Sequence, residues 1–190
     1  MKSLCVVVFL SLGVFRTCPA GVIFDLRDQA AVFDGKTSAL FSMGGIEASF
    51  IANGGDLNSN VGQFGINAAG GADDADAVDS GESLSVSFDQ DVFLTRLDLE
   101  DFTGSEQIDL TIGLHAPVTL INGDTDDVFT FASNHFVAQG QSVLFEPSNG
   151  DFGIATFTVA AVPEPHTFCV TLMAILAFLG PASRRRPASY

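Results

Sequence analysis

A dense group of oxygen-bearing side chains lies between residues 67 and 82, namely Asn67, Asp73, Asp74, Asp76, Asp79 and Glu82. A hard cation such as Ca²⁺ takes about six to eight oxygen ligands from carboxylates, amide carbonyls and water. The spacing does not fit an EF-hand, because counting from Asp74 puts Asp79 at the glycine position and Ser85 at the position of the bidentate glutamate. The segment therefore predicts either a Ca²⁺ site or a solvated acidic loop.

The sequence lacks the residue patterns of common catalytic sites. His115 and His135 are the only histidines of residues 21–161, and they form neither a His-x-His nor a His-x-x-x-His pair for zinc. No Gly-x-Ser-x-Gly nucleophile elbow is present. Carboxylates are abundant enough for a glycosidase, but nothing singles out one pair. We predict no catalytic residues and place both histidines in turns or on edge strands, and an extracellular hydrolase stays open as an alternative.

The elements that must position these side chains are strands. Short β-branched or Phe-rich runs, most of them separated by Gly, Asn or Asp, predict strands at residues 22–26, 46–52, 83–88, 93–99, 108–114, 118–121, 128–131, 142–145 and 154–159. Leu84, Val86 and Phe88 alternate with serines, which is typical of an antiparallel sheet with one wet face. The predicted fold class is all-β, an antiparallel β-sandwich of jelly-roll-like form with a phenylalanine core and no helix of ordinary length before the C-terminal region.

The charge of residues 21–161 is strongly negative. Three basic residues, Arg27, Lys36 and Arg96, face 22 acidic residues, so the formal charge is 3 − 22 = −19. Such a surface repels nucleic acid and anionic membranes. It attracts divalent cations, cationic polymers or, through bridging cations, acidic polysaccharide, unless the charge serves solubility alone. The segment contains no Trp and no Tyr, the rings that usually form sugar-binding platforms; a Ca²⁺-dependent carbohydrate-binding module is the main alternative function.

The N-terminus has the order of a secretory signal peptide. Met1-Lys2 is followed by the apolar residues 4–15 and then by Cys18-Pro19-Ala20, which predicts cleavage after Ala20. Arg16 interrupts the boundary, so an uncleaved anchor is the alternative. The three cysteines all lie outside residues 21–161, and this domain is therefore expected to have neither a disulfide nor thiol chemistry.

The C-terminus has three parts in series. Val162-Pro163-Glu164-Pro165 leads into the apolar residues 168–179 and then into Arg184-Arg185-Arg186. As a helix, residues 166–180 would be about 22 Å long, shorter than the ~30 Å hydrocarbon core. The arginines would stay in the cytoplasm and leave the preceding domain outside. A buried core helix is the alternative reading.

This order resembles the PEP-CTERM sorting signal of Gram-negative bacteria that make extracellular polysaccharide. The resemblance rests on Val162, Pro163, Glu164 and Pro165, on the apolar run, and on Arg184, Arg185 and Arg186. It implies recognition by an exosortase, a membrane-embedded cysteine transpeptidase, with cleavage near the Pro-Glu-Pro motif. It also implies anchoring in the inner membrane through the C-terminal helix, either transient or permanent.

Residues 64–102 resemble the β-sandwich domain often found ahead of the same signal. That domain has a Gly-(Val/Ile)-Asn turn, an Asp-x-x-Glu-x-Leu step and a following Phe-Asp strand. The matching positions are Gly65, Ile66, Asn67, Asp79, Glu82, Leu84, Phe88 and Asp89. The resemblance implies a fold and no reaction.

Taken together, the sequence predicts a signal peptide at 1–20, an acidic β-sandwich ectodomain at 21–161 and a sorting signal at 162–190. The expected function is that of an exported, non-catalytic cell-surface or extracellular-matrix protein, either structural or adhesive. Its expected partners are the exosortase and extracellular polysaccharide, with no nucleic acid among them. Ca²⁺ is the one cofactor for which the residues offer ligands.

Overall fold

The computed structural model describes residues 21–68, 77–122, 127–131 and 135–162. The predicted signal peptide lies outside these residues, as does every part of the predicted sorting signal except Val162. Asp73, Asp74 and Asp76 also lie outside them.

The described residues form a short helix and strands in two sheets. In chain order the elements are β1 (Val22–Asp25), α1 (Ala30–Phe33), β2 (Ser38–Met43), β3 (Ile46–Asn53), β4 (Gly55–Ser59), β5 (Phe64–Ala68), β6 (Ser83–Phe88), β7 (Val92–Glu100), β8 (Gln107–Ile112), β9 (Val118–Ile121), β10 (Val128–Thr130), β11 (Phe136–Val137), β12 (Ser142–Asn149) and β13 (Gly153–Ala161). Sheet A has the order β10-β7-β13-β5-β4, with β1 also paired to β13 and β11 to β7, and sheet B has the order β2-β3-β6-β12-β8-β9.

Every pairing between these strands is antiparallel. The all-β class and the antiparallel sheets are therefore confirmed. Each of the nine predicted strand segments overlaps a strand of the structure. The alternation on β6 is confirmed, since Leu84, Val86 and Phe88 belong to the core. The segment predicted at 108–114 ends earlier, at Ile112, because Gly113 turns the chain with a φ of 56°.

The prediction of a turn at Gly65-Ile66-Asn67 is wrong, because these residues belong to β5. Phe64 and Ile66 are fully buried on this strand, and burial of these side chains outweighs the weak strand preference of Gly and Asn. The neighbouring β4 is equally Gly- and Asn-rich. A Cβ added at Gly55 would clash with the Asn67 carbonyl oxygen, so the close approach of the two strands requires glycine there.

Phenylalanine rings from both sheets meet in one core. Phe24 stacks on Phe157 with ring centroids 4.8 Å apart, and Phe50 of sheet B meets Phe64 of sheet A at 5.7 Å. The helix α1 contributes Phe33, which is fully buried. All the phenylalanines of the described residues except Phe93 and Phe136 lie in this core or pack against it. Aromatic pairs of this kind contribute about 0.5–1.5 kcal/mol each beyond their burial.

Both ends of the described domain lie at one end of the sandwich. Val22 on β1 is opposite Val159 on β13, and Val92 on β7 is opposite Ala161. The connections at residues 44–45, 89–91, 113–117 and 138–141 lie at this end as well. We call this end, with Gly21 and Val162, the terminal pole.

Contacts between these connections hold the terminal pole together. A Cβ added at Gly44 would lie 2.8 Å from Cγ2 of Val22, so the first turn touches the first strand. The Gly140 N–H donates to the Phe88 carbonyl at 3.1 Å, and the Gly113 N–H donates to the Ser142 carbonyl at 2.9 Å. The Gly44–Val22 contact thus joins the two sheets at the pole from which the chain continues beyond Val162, and the two hydrogen bonds hold the connections to sheet B.

Candidate functional site

Asp79 and Glu82 close a tight turn that leads into β6. The Asp79 N–H donates to Oε2 of Glu82 at 2.9 Å, and the Glu82 N–H donates to the Asp79 carbonyl at 2.9 Å. Gly81 permits the turn with a φ of 95°. The Glu82 residue is only 7% exposed. One carboxylate oxygen of the predicted cation cluster thus stabilises the local backbone.

The turn is packed against neighbouring strands. A Cβ added at Gly54, between β3 and β4, would lie 3.0 Å from Cγ of Glu82. Just before the turn, Ala77 and Val78 are fully buried, and the Val78 N–H donates to the Phe152 carbonyl at 2.7 Å. The acidic segment is therefore anchored to the core on its C-terminal side.

Asn67 lies on the other side of the same segment. It is exposed near the end of β5, directly opposite Asp56 on β4, and the Ile66 N–H donates to the Ala77 carbonyl at 2.8 Å. This bond joins the backbone on either side of residues 67–76. Of the six predicted ligands, the structure places Asn67, Asp79 and Glu82, and it brings Asp79 and Glu82 into one turn.

The described residues alone do not assemble a metal site. Within that part of the chain, no group of three or more His, Cys, Asp and Glu side chains is arranged to hold a metal ion. Asp73, Asp74 and Asp76 lie outside it. The Ca²⁺ site at Asn67, Asp73, Asp74, Asp76, Asp79 and Glu82 therefore stays a prediction.

The two histidines of the domain line one cleft. His115 lies in the turn after β8 and His135 directly before β11, as expected for turn or edge positions. Together with Leu110, Ile112, Ala116 and Val118 they line a cavity of about 200 Å³. The His135 ring lies against Phe131 with centroids 4.6 Å apart. Sequence spacing missed this proximity because it arises from the pairing of β8 with β12 and of β11 with β7.

The three basic side chains of the domain, Arg27, Lys36 and Arg96, all form ion pairs or hydrogen bonds within the domain. Arg27 forms a bidentate pair with Asp25, with N–O distances of 2.9 and 3.0 Å, and Arg96 lies 3.5 Å from Asp98. The Lys36 ammonium donates to the Ala31 carbonyl at 3.3 Å. The hydrogen bond from Arg27 lowers the pKa of Asp25 below its usual range.

Burial, and to a smaller extent neighbouring carboxylates, raise the pKa of Glu106. This side chain caps a turn by accepting the Thr103 N–H. Burial raises the pKa of Glu106, the charges of Asp151, Asp101 and Asp127 raise it further, and the Thr103 bond opposes the rise. The surplus of negative charge thus contributes to the raised pKa of Glu106.

Val162 is the one residue of the predicted sorting motif that the structure describes. Its N–H donates to the Asp91 carbonyl at 3.0 Å, which extends the pairing of β13 with β7 to the last residue before Pro163. Pro163, Glu164, Pro165 and the three arginines lie outside the described residues. No helix in the described ranges has the length and apolarity needed to cross a membrane.

Comparison with known proteins gives no relative. No family model, no curated protein and no solved structure matches the chain. The functional argument therefore depends on the residues and their geometry.

Proposed function

We propose that this protein is an exported, acidic β-sandwich of jelly-roll-like form that is sorted to the cell envelope through its C-terminal segment. In this proposal it acts there as a structural or adhesive component of the surface or extracellular matrix, without catalysis. The exosortase is its processing partner, extracellular polysaccharide is its ligand class, and nucleic acid is not a partner.

The single observation that carries the proposal is the position of the two chain ends. β1 begins at Val22, directly after the predicted cleavage at Ala20, and the pairing of β13 ends at Val162, directly before Pro163. Because β1 and β13 are antiparallel neighbours, both predicted targeting segments would leave from the terminal pole. Their removal would leave every described strand intact.

Charge supports the same proposal. Because Arg27, Lys36 and Arg96 are all engaged within the domain, they offer no basic patch for an acidic polymer. Contact with acidic polysaccharide therefore requires a bridging cation. Such a protein would associate with an anionic matrix in a manner that depends on divalent cations.

The sorting part is tested by replacing Arg184, Arg185 and Arg186 with serine in a bacterium that contains an exosortase. We expect loss of the protein from the envelope surface, because the cytoplasmic stop signal is removed. The matched control replaces the same arginines with lysine, which keeps the charge and should keep the localisation. Unchanged localisation of the serine variant would count against the sorting signal.

A second candidate function, glycan binding, is favoured by one ring pair. Phe93 and Phe136 face each other on the outer side of sheet A with centroids 5.6 Å apart, and Phe136 is 36% exposed. Thr95 lies on the same side and donates to the Thr158 carbonyl. Loss of polysaccharide binding in Phe136→Ala, but not in Phe129→Leu, would support this candidate, since Phe129 packs against the core.

A further inference from the structure

Exposed apolar side chains occur at separate points of the terminal pole. Leu114 is 99% exposed in the 113–117 turn, and Met43 is 38% exposed where β2 enters the 44–45 turn. Leu114 and Met43 lie near opposite edges of sheet B, roughly 20 Å apart at ~4.8 Å per strand spacing. Two apolar points this far apart suit a broad, flat partner better than a pocket-sized ligand.

The charges of the terminal pole indicate which kind of surface it can contact. Asp89 and Asp91 are exposed there, and their carboxylates accept the N–H groups of Glu47 at 3.0 Å and of Gln139 at 2.8 Å. No Lys or Arg stands in the four connections of the pole. An anionic lipid surface would be repelled, whereas zwitterionic headgroups present cationic ammonium groups that can lie against these carboxylates.

The chain leaves the domain at this same pole. Val162 is held by Asp91, and the predicted apolar segment begins at Phe168. The five residues 163–167 between them reach about 18 Å when fully extended. Once the apolar segment enters a bilayer, the terminal pole must therefore stay close to that bilayer.

We propose that the terminal pole rests on a zwitterionic membrane surface while the chain is still anchored, with Leu114 and Met43 inserted among the lipid headgroups. This inference rests on the proposed function, because it needs the predicted anchor. It adds a role for the domain itself: by lying on the bilayer, the pole holds Val162 at the membrane surface, within reach of a membrane-embedded transpeptidase.

The test uses the exported chain with its C-terminal segment retained, from a host without exosortase, in phosphatidylcholine vesicles. Cys169, the cysteine that remains after the predicted cleavage, is replaced with serine. An environment-sensitive dye is attached to Leu114→Cys, Met43→Cys or Val61→Cys. Val61 is the matched control, because it is 81% exposed and lies between β4 and β5, at the opposite end of the sandwich. A nitroxide carried by the lipid reports contact with the bilayer.

We expect the lipid nitroxide to quench the dyes at positions 114 and 43 and to leave the dye at position 61 unquenched. Equal quenching at positions 114 and 61, in protein that floats with the vesicles, would overturn the inference while leaving the anchor intact. Quenching at 114 that appears only when exosortase is added would also overturn it, in favour of docking on the enzyme. Protein that does not float with the vesicles would overturn the anchor and the inference together.

Discussion

Glu82 shows that an individual carboxylate in this acidic domain can have a structural role, although the number of acids in the sequence gives no sign of which one. Glu82 belongs to the acidic cluster, yet it is buried and bonded to the Asp79 backbone. Its spacing from Asp79 is the one sequence signal of this role, since an acid three residues after a polar residue often closes such a reciprocal turn. A side chain of this kind contributes to folding whether or not a cation is bound.

Replacing Glu82 with alanine is expected to lower the free energy of unfolding by about 1–3 kcal/mol, because the Asp79 N–H loses its acceptor. Ser80→Ala, at an exposed position of the same turn, should change it by less than about 0.5 kcal/mol. Chemical denaturation of the two variants in the presence of chelator gives the comparison. Equal stability of both variants would mean that the Glu82 bond contributes nothing to folding.

Two perturbed carboxylates predict how stability depends on pH. The pKa of Glu106 is raised in the folded state, so its ionisation disfavours folding, and stability is gained as the pH falls through that raised pKa. The pKa of Asp25 is lowered, so its contribution is present above its unfolded pKa and is lost as the pH falls through the folded value. Stability should therefore rise on acidification from neutral pH and fall again in strong acid.

A single substitution tests the contribution of Glu106 to this dependence of stability on pH. Glu106→Gln keeps an acceptor for the Thr103 N–H but carries no charge. We expect this variant to be more stable than the wild type at pH 7 and to match it once Glu106 is protonated. Thermal unfolding across pH measures both, and a parallel offset at every pH would refute an electrostatic cause.

At the scale of elements, the sequence did not predict α1, β2, β4, β5 or β11, and the β4–β5 pair shows the reason most clearly. The predicted strands are β-branched or Phe-rich runs that stand out in the chain, whereas β4 and β5 contain Gly55, Gly65 and two asparagines. Tertiary packing of Leu57, Phe64 and Ile66, all fully buried, decides their conformation. Local composition indicates strand propensity, and in the β4–β5 pair the burial of apolar side chains outweighs the low strand propensity of Gly and Asn.

Gly55→Ala tests that explanation. Because the added Cβ would meet the Asn67 backbone, we expect a loss of about 1–3 kcal/mol in stability. Gly62→Ala lies between the same two strands, where the nearest atom to an added Cβ is the Asn60 Oδ1 at 3.3 Å, and it should be far milder. Guanidinium unfolding of both variants decides the point, and equal losses would show that strand approach is not the reason for glycine at position 55.

The 67–82 segment predicts a response to Ca²⁺. At about 100 times its dissociation constant, a bound cation adds about 2.7 kcal/mol to stability, and the thermal midpoint should rise by several degrees. The rise should disappear in Asp74→Asn with Asp76→Asn, and it should persist in Glu146→Gln, an exposed acid on β12. A wild-type protein that melts at the same temperature with Ca²⁺ and with chelator would leave the segment as solvated charge.

At the scale of the whole molecule, the sequence predicted a domain with targeting segments at both ends, and the fold adds where those ends lie. No periodicity could reveal that β1 and β13 are neighbours, because their pairing joins the first and last strands of the domain. The cleft with His115 and His135 has the same origin, since distant strands bring its two histidines together. The position of the two ends and the histidine cleft could not be predicted from residue spacing, because both arise from pairing between strands that are far apart in the chain.

The most direct measurement of the central claim is the intact mass and terminal sequence of the protein recovered from the cell envelope of an exosortase-containing bacterium. The account predicts a chain that begins at Gly21 and ends close to Pro163-Glu164-Pro165, with the acidic domain whole. A chain that runs from Met1 to Tyr190 and is recovered from the cytoplasm would contradict it.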